Sequence, residues 1–384
     1  MNHTHITINR IRYAVTLVVI TCLMLAAGCS HDQSVLGPPL PISDKTLSIA
    51  TATPFPAVPT MVPTLVDEQV TLMAVGDVML ARRTGELIQS TGLQAPFEYV
   101  SDLFYTADWV VANLECAITN SDVAEKKAYT FAAPMESALS LAIAGINVVN
   151  LSNNHSQDYG PAGLADTLEA LRRSQIQPFG VGKDAIEAHR PLLLEKDGLT
   201  LALLGYTDVP IEQSSYFDTH DWIATAERPG LAWAVLEDVQ ADVASARQQA
   251  DVVIVYFHYG VENLDHASRA QHYLATGAID AGASLVLGSH SHRLQEIEHY
   301  KGGLIVYSLG NFVFDGFDDI ANLTAILRVT LDRTGVIEYT WYPMVIVDGI
   351  PQPADAQNAR AIQALVEREY KLYLPGLEPG DASD

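Results

Sequence analysis

From Glu68 onward, short unbroken apolar runs alternate with stretches of helical spacing. Val70–Val75, Trp109–Asn113, Val148–Leu151, Val252–Tyr256 and Leu285–Leu287 are too short for helices. They are apolar at consecutive positions, which predicts strands buried on both faces. Pro161–Ser174 places Leu164, Leu168 and Leu171 on one face and predicts a helix. Leu231–Gln249 and Ser268–Ala281 predict two more, each leading into a strand. Leu192–Leu204 reads as a hairpin turning at Asp197-Gly198. After Gln295 the pattern becomes β: Glu296–His299, a turn at Lys301-Gly302-Gly303, Leu304–Ser308, Ala321–Leu331 and Val336–Val347, with Ala356–Tyr373 as a closing helix. Strand–helix units together with hairpins imply α/β architecture with mixed sheets covered by helices. No repeat or break interrupts 68–375, so one domain is expected, its body over 68–348 and a C-terminal helix and tail over 349–384.

The chain before Glu68 has a different character. Arg10 and Arg12 precede the apolar run Tyr13–Ala27, which is short for a membrane span. It ends in Leu25-Ala26-Ala27-Gly28-Cys29, which resembles a bacterial lipoprotein cleavage box. Residues 1–28 are then a signal segment and Cys29 the acylated residue; an ordinary signal peptide or an uncleaved anchor are the alternatives. Each reading puts the body of the protein outside the cytoplasm, and acylation would tie it to the membrane. Residues 29–67 are rich in Pro, Thr, Ser and Ala, a composition that buries too little apolar surface to order itself. Extended at ~3.3 Å per residue, such a tether reaches on the order of 100 Å. Cys22 leaves with the signal and Cys29 carries lipid, so Cys116 has no disulfide partner.

Of the 384 residues, 48% are hydrophobic and 18% charged, which fits a globular core. The formal net charge of −24 excludes nucleic acid as an electrostatic partner and argues against a grip on anionic lipid.

Four of the apolar runs end in metal-ligand residues. Asp77 follows Val75-Gly76; Asn153-Asn154-His155 follows Leu151; His258 follows Phe257; His290 and His292 follow Gly288. Carboxylate, amide and imidazole groups from the ends of different strands suit one or two divalent cations. Each has a plainer reading as well. Asp77 could cap a helix, Asn153-Asn154 could form a turn, and His258 could be a hydrogen-bonded core residue. Glu115, at the end of Trp109–Asn113, is a second candidate carboxylate or a solvated strand-end acid. His155 is placed to donate a proton. His189, His220, His266 and His272 fall in helical or loop patterns and His299 at the end of a β run, all away from these strand ends and expected at the surface.

These segments resemble the CapA proteins of poly-γ-glutamate capsule biosynthesis, relatives of the calcineurin-like metallophosphoesterases. The resemblance runs from about Thr71 to Asp315. It rests on Gly76-Asp77-Val78-Met79, Asn113-Leu114-Glu115, Asn153-Asn154-His155 through Asp158, His258-Tyr259-Gly260-Val261-Glu262, Gly288-Ser289-His290-Ser291-His292 and Tyr307-Ser308-Leu309-Gly310-Asn311-Phe312. It implies a four-layer α/β/β/α sandwich of two mixed sheets with the site at strand ends. It also implies Asp77, Glu115, Asn154, His258, His290 and His292 as ligands of one or two divalent ions such as Mn, Fe or Zn, with His155 as proton donor. Asp158, Glu262 and Asn311 are implied as supporting or substitute ligands.

The chain departs from the phosphoesterase pattern at three places. Met79 stands where an imidazole is usual, Glu115 where an aspartate is usual, and Ala132 after Phe131 where the family often carries an arginine. Two functions follow from the resemblance. One is a lipid-anchored, metal-dependent hydrolase acting on a phosphoester or amide of an envelope polymer. The other is a non-catalytic component that binds, exports or anchors such a polymer, working with its assembly machinery.

Overall fold

The computed structural model describes residues 68–212, 216–317 and 319–371. Cys29, the signal segment and the Pro/Thr-rich tether lie outside the described residues. The protein is a mixed α/β structure built around two mixed sheets.

The larger sheet has eight strands centred on Val70–Val78. Trp109–Leu114, Val148–Asn150 and Gln177–Phe179 follow in parallel on one side. Leu323–Asp332, Gly335–Val347 and Ile350–Pro353 continue the sheet in antiparallel fashion on the other. Asn311–Val313 runs parallel to the end of the central strand and sets Asn311 opposite Asp77. The second sheet has six strands, ordered Ile297–Tyr300, Gly303–Val306, Leu285–Ser289, Val252–Tyr259, Leu199–Asp208 and Leu192–Lys196. Its middle four are parallel and its two outer strands antiparallel.

The unbroken apolar runs are explained by where alternate side chains go. Leu72, Ala74 and Val111 meet Leu201, Leu203, Ile254 and Leu287 in one buried cluster between the sheets. Their neighbours Met73, Val75, Val110 and Ala112 pack instead with Ile88, Leu141, Leu164 and Leu171 from the helices Arg82–Thr91, Ser137–Ala144 and Gly160–Arg173. On the second sheet Ala202, Leu204, Val253 and Val255 pack with Val239, Val243, Leu274 and Ala278 of Leu236–Ala246 and Arg269–Asp280. Strands covered on both faces need apolar residues at every position.

Several expectations need adjustment. The helix expected over Leu231–Gln249 is Leu236–Ala246, because Gly230–Leu231 pairs as a short strand with Val181–Gly182. The closing helix is Ala356–Val366, capped by Asp355, rather than extending to Tyr373. Pro178 lies within the edge strand Gln177–Phe179. Gln177 donates to Asn147 and Phe179 accepts from Leu151, so the proline nitrogen faces the open edge, where no donor is needed. By contrast, the helix expected from Ser268 forms as Arg269–Asp280, with Ser268 and Gln271 making a reciprocal capping box.

Gly76 shows how tightly the strand end that carries Asp77 is built. A Cβ there would lie 1.8 Å from the Gly310 carbonyl oxygen, backbone against backbone. Gly76→Ala is therefore expected to cost at least the ~1–3 kcal/mol typical of overpacking. The readout is the urea midpoint of the purified protein; an unchanged midpoint contradicts the close approach.

Candidate metal centre

The parallel strands of both sheets end at one crevice, where an α/β fold gathers functional side chains. Asp77, Asn113, His258 and Ser289 lie within the last residues of their strands, and Asn153–His155 and His290–His292 follow directly in the loops. His290 and His292 have φ of 93° and 57°. Non-glycine residues rarely adopt such values, and the strain is sustained by packing around both rings. Their imidazoles, residues two apart in sequence, come within 6.1 Å, and the His258 and His290 rings within 4.7 Å.

Asp77 is fully buried. Its Oδ1 accepts from Asn113 Nδ2 at 2.8 Å and its Oδ2 from the His290 amide at 3.2 Å, with His292 Nδ1 at 3.6 Å. Asn113 in turn accepts from Asn150 and Asn153 at 2.9 and 3.2 Å. The plainer reading of Asp77 as a helix cap is not what the structure shows: the following helix has no side-chain cap from its own N-cap residue.

Glu115 is different. Both of its oxygens are buried and no N–H or hydroxyl donor reaches them, the Asp77 carboxyl being the side chain they meet, and His290 Nδ1 is likewise buried and unpartnered. His155 Nε2 and His258 Nε2 each stand 3.9 Å from Glu115 Oε1. Burial pushes the Glu115 carboxyl well above its ordinary range, and the neighbouring Asp77 charge pushes it further. Burial also raises Asp77, against the lowering effect of His292 and Asn113. His258 and His290 are driven well below the usual imidazole range by burial first and by neighbouring histidines second. They are therefore held neutral, the form that ligates metal.

This set fits a divalent cation. Glu115, His258 and His290 offer ligand atoms within 4.8 Å of one another, and so do Asp77, Glu115 and His292. Glu115 belongs to both groups, and an ion in either would satisfy its orphaned oxygens. Asn154 adds an amide oxygen 2.7 Å from His258 Nε2; its Nδ2 donates to Glu212 Oε1 at 3.0 Å, which turns Oδ1 toward the imidazole. His155 stands beside the group, with Nδ1 2.8 Å from Asp158 Oδ2 and its ring stacked on Phe131 at 4.3 Å. Burial lowers its affinity for a proton while Asp158 opposes that shift.

Of the supporting residues, Asp158 anchors His155 and Asn311 holds His292 Nδ1 at 2.8 Å. Glu262 is partly buried and acts on Glu115 through its charge. The Met79 side chain is turned away into the helix-facing core, where its sulfur accepts the Ala81 amide. Cys116 is a free buried thiol pushed up to about 12 by burial, as expected of a small core residue. His189, His220 and His266 pair with Asp242, Asp218 and Asp265 instead of joining the centre.

Sequence reasoning missed two charged residues of the site. The Lys127 side chain is fully buried, with Nζ 2.6 Å from the Asn154 carbonyl oxygen, 2.7 Å from Asp158 Oδ1, and paired with Glu212. Lys127 lies in Ala124-Glu125-Lys126-Lys127, which carries no motif and reads as a solvated loop. Glu212 sits just past Leu199–Asp208 with nothing around it to mark it.

A raised carboxylate pKa in the folded state means that the native protein binds a proton the unfolded chain has released. Glu115 therefore costs stability as pH rises through 4.5, the ordinary glutamate value, toward its folded value. Glu115→Gln is expected to raise the melting temperature of chelator-treated protein at pH 8 relative to wild type, with the gap closing at pH 4. The same variant should lose the stabilisation that added Mn2+ gives wild type. Equal melting temperatures at pH 8, or undiminished stabilisation by Mn2+, would contradict the assignment.

The family described as bacterial capsule synthesis protein PGA_cap matches residues 71–316. The capsule biosynthesis protein CapA of Bacillus anthracis is 32% identical over 298 residues, covering 75% of this chain and 70% of that one. The PGA biosynthesis protein CapA of Bacillus subtilis is 31% identical over 303 residues, covering 78% of this chain and 77% of that one. Among solved structures, a hypothetical protein from Thermus thermophilus aligns with a TM-score of 0.46 at 17% identity, covering 74% of this chain and all of that one. With the family match spanning well over half of its residues and two such relatives aligned along most of their length, the chain belongs to the bacterial capsule synthesis (PGA_cap, CapA) family.

Proposed function

We propose that this is a lipid-anchored, extracytoplasmic hydrolase of capsule or poly-γ-glutamate-type polymer biosynthesis, dependent on divalent metal and acting on a phosphoester or amide of an envelope polymer. The observation that carries the reading is Glu115, whose two buried oxygens, which no N–H or hydroxyl donor reaches, are shared by two potential ligand groups. Asp77, Glu115, Asn154, His258, His290 and His292 would hold one or two ions, with Mn, Fe or Zn suited to this mix of oxygen and nitrogen ligands. Bound there, the ions would polarise a substrate oxygen and lower the pKa of a water. The fold is read as a four-layer α/β/β/α sandwich of the calcineurin-like kind, supported by the three separate clusters on and between the sheets. Residues 68–348 form its body, with the helix and tail after 349 closing on it. Acylation at Cys29 and a tether over 29–67 would hold it at the envelope, beside the polymer or its assembly machinery. Among the described residues no helix is long and apolar enough to cross a membrane.

The chain's own contribution is proton transfer and positioning. Asp158 fixes His155 through Nδ1 and Phe131 fixes the ring plane, so Nε2 points toward Glu115 and the centre. Burial makes the imidazolium acidic, so a proton at Nε2 is readily passed to a leaving group. Lys127 balances the Asp158 and Glu212 carboxylates that hold His155 and Asn154. The second reading, a polymer-binding component without turnover, is favoured by Met79, whose side chain withdraws from the place where a further imidazole would stand.

Metal analysis of the purified protein with assays on a phosphoester and γ-amide panel separates the readings. About two ions per chain are expected, reduced in Asp77→Ala and His290→Ala with activity lost in parallel. His155→Ala should keep its metal and lose ~10²–10⁴-fold in turnover. Metal without turnover on any substrate supports the binding role. Unchanged metal content in both ligand variants contradicts the site.

A further inference from the structure

Arg82 has a φ of 51°, a value a side-chain-bearing residue adopts only under constraint. Its guanidinium carbon lies 4.9 Å from the Phe131 ring centroid and 5.8 Å from that of Phe314. Those rings also line the metal centre: Phe131 stacks on His155, and Phe314 meets His292 edge-on at 5.1 Å. One aromatic ring therefore separates Arg82 from each imidazole.

Its hydrogen bonding is incomplete. Nη2 donates to the Asp315 carboxylate and to the Asp315 carbonyl oxygen. The Asp315 carboxylate is itself shared, since its other oxygen accepts the Arg83 amide at the start of Arg82–Thr91. Among the described residues Nε and Nη1 have no hydrogen-bond partner, and the side chain is 38% exposed. A fixed, half-open guanidinium with donors to spare, laid on aromatic faces, is suited to taking a carboxylate. The need is specific: a chain of net charge −24 repels a polyanion unless cations stand at the place of contact. Lys127 cannot serve, because it is fully buried among carboxylates.

We infer that Arg82 determines specificity for an anionic polymer, taking the free carboxylate of the repeat unit adjacent to the one at the metal centre. The inference rests on the proposed reading of that centre as the substrate site. Arg82, the first residue of the helix Arg82–Thr91, lies over the Phe131 ring, while residue 132, next to Phe131, is an alanine and brings no charge.

The test is calorimetric titration of the full chain, loaded with Mn2+, with an oligomer of γ-linked glutamate and with its neutral counterpart in which each free α-carboxylate is an α-carboxamide. Wild type is expected to prefer the acid by about tenfold or more, the value of a hydrogen bond to a charged group. Arg82→Gln should abolish that preference and Arg82→Lys should retain part of it, with metal content unchanged. Because Arg82→Gln strands the Asp315 carboxylate, Arg82→Gln with Asp315→Asn is the second variant, and it should lose the preference equally. No preference in wild type, or a full preference surviving in either glutamine variant, overturns the inference. Failure of the metal-centre reading shows separately, as wild-type protein that takes up no Mn2+.

Discussion

A buried carboxylate set against a second acid is the constraint around which the crevice is arranged. Burial opposes ionisation of Glu115, and the described residues put no cation against its oxygens: Lys127 acts from a distance, paired with Asp158 and Glu212, and the near neighbours are another acid and imidazoles. A group buried in this way either stays protonated, the direction in which burial drives Glu115, or needs a bound cation to ionise. The surrounding asparagines, Asn113, Asn150 and Asn153, tie the strand ends together and fix Asp77 without neutralising it.

The two sheets serve this arrangement by bringing parallel strand ends from both to one place. Asp77 and Asn113 come from one sheet, His258 and Ser289 from the other. The apolar cluster between the sheets, with Leu72, Ala74, Ile254 and Leu287, fixes one set against the other. Close backbone contacts such as Gly76 on Gly310 leave little room for drift. Packing of this kind fixes the positions of the side chains at the strand ends through the core.

Much of this was legible in the chain. Consecutive apolar residues in Val70–Val75 and Val252–Tyr256 give away strands with both faces covered, and the polar residues that end such runs stand out because burial there is costly. Asp77, Asn154, His155, His258, His290 and His292 all meet in the structure for that reason. The helix at Arg82–Thr91 was not legible, since only Thr84, Gly85 and Ile88 are buried and no apolar stripe marks it. Lys127 and Glu212 were hidden because their burial depends on each other and on Asp158: in sequence each is an ordinary surface charge. Pairings across long sequence separations leave no local trace.

The most direct measurement is anomalous X-ray scattering at the Mn edge from crystals of Mn-loaded protein. Two peaks about 3.5–4 Å apart, flanking the Glu115 carboxylate, with His258 and His290 near one and Asp77 and His292 near the other, are expected. A crevice without anomalous signal at saturating Mn2+, with Glu115 protonated and hydrogen-bonded instead, would contradict it.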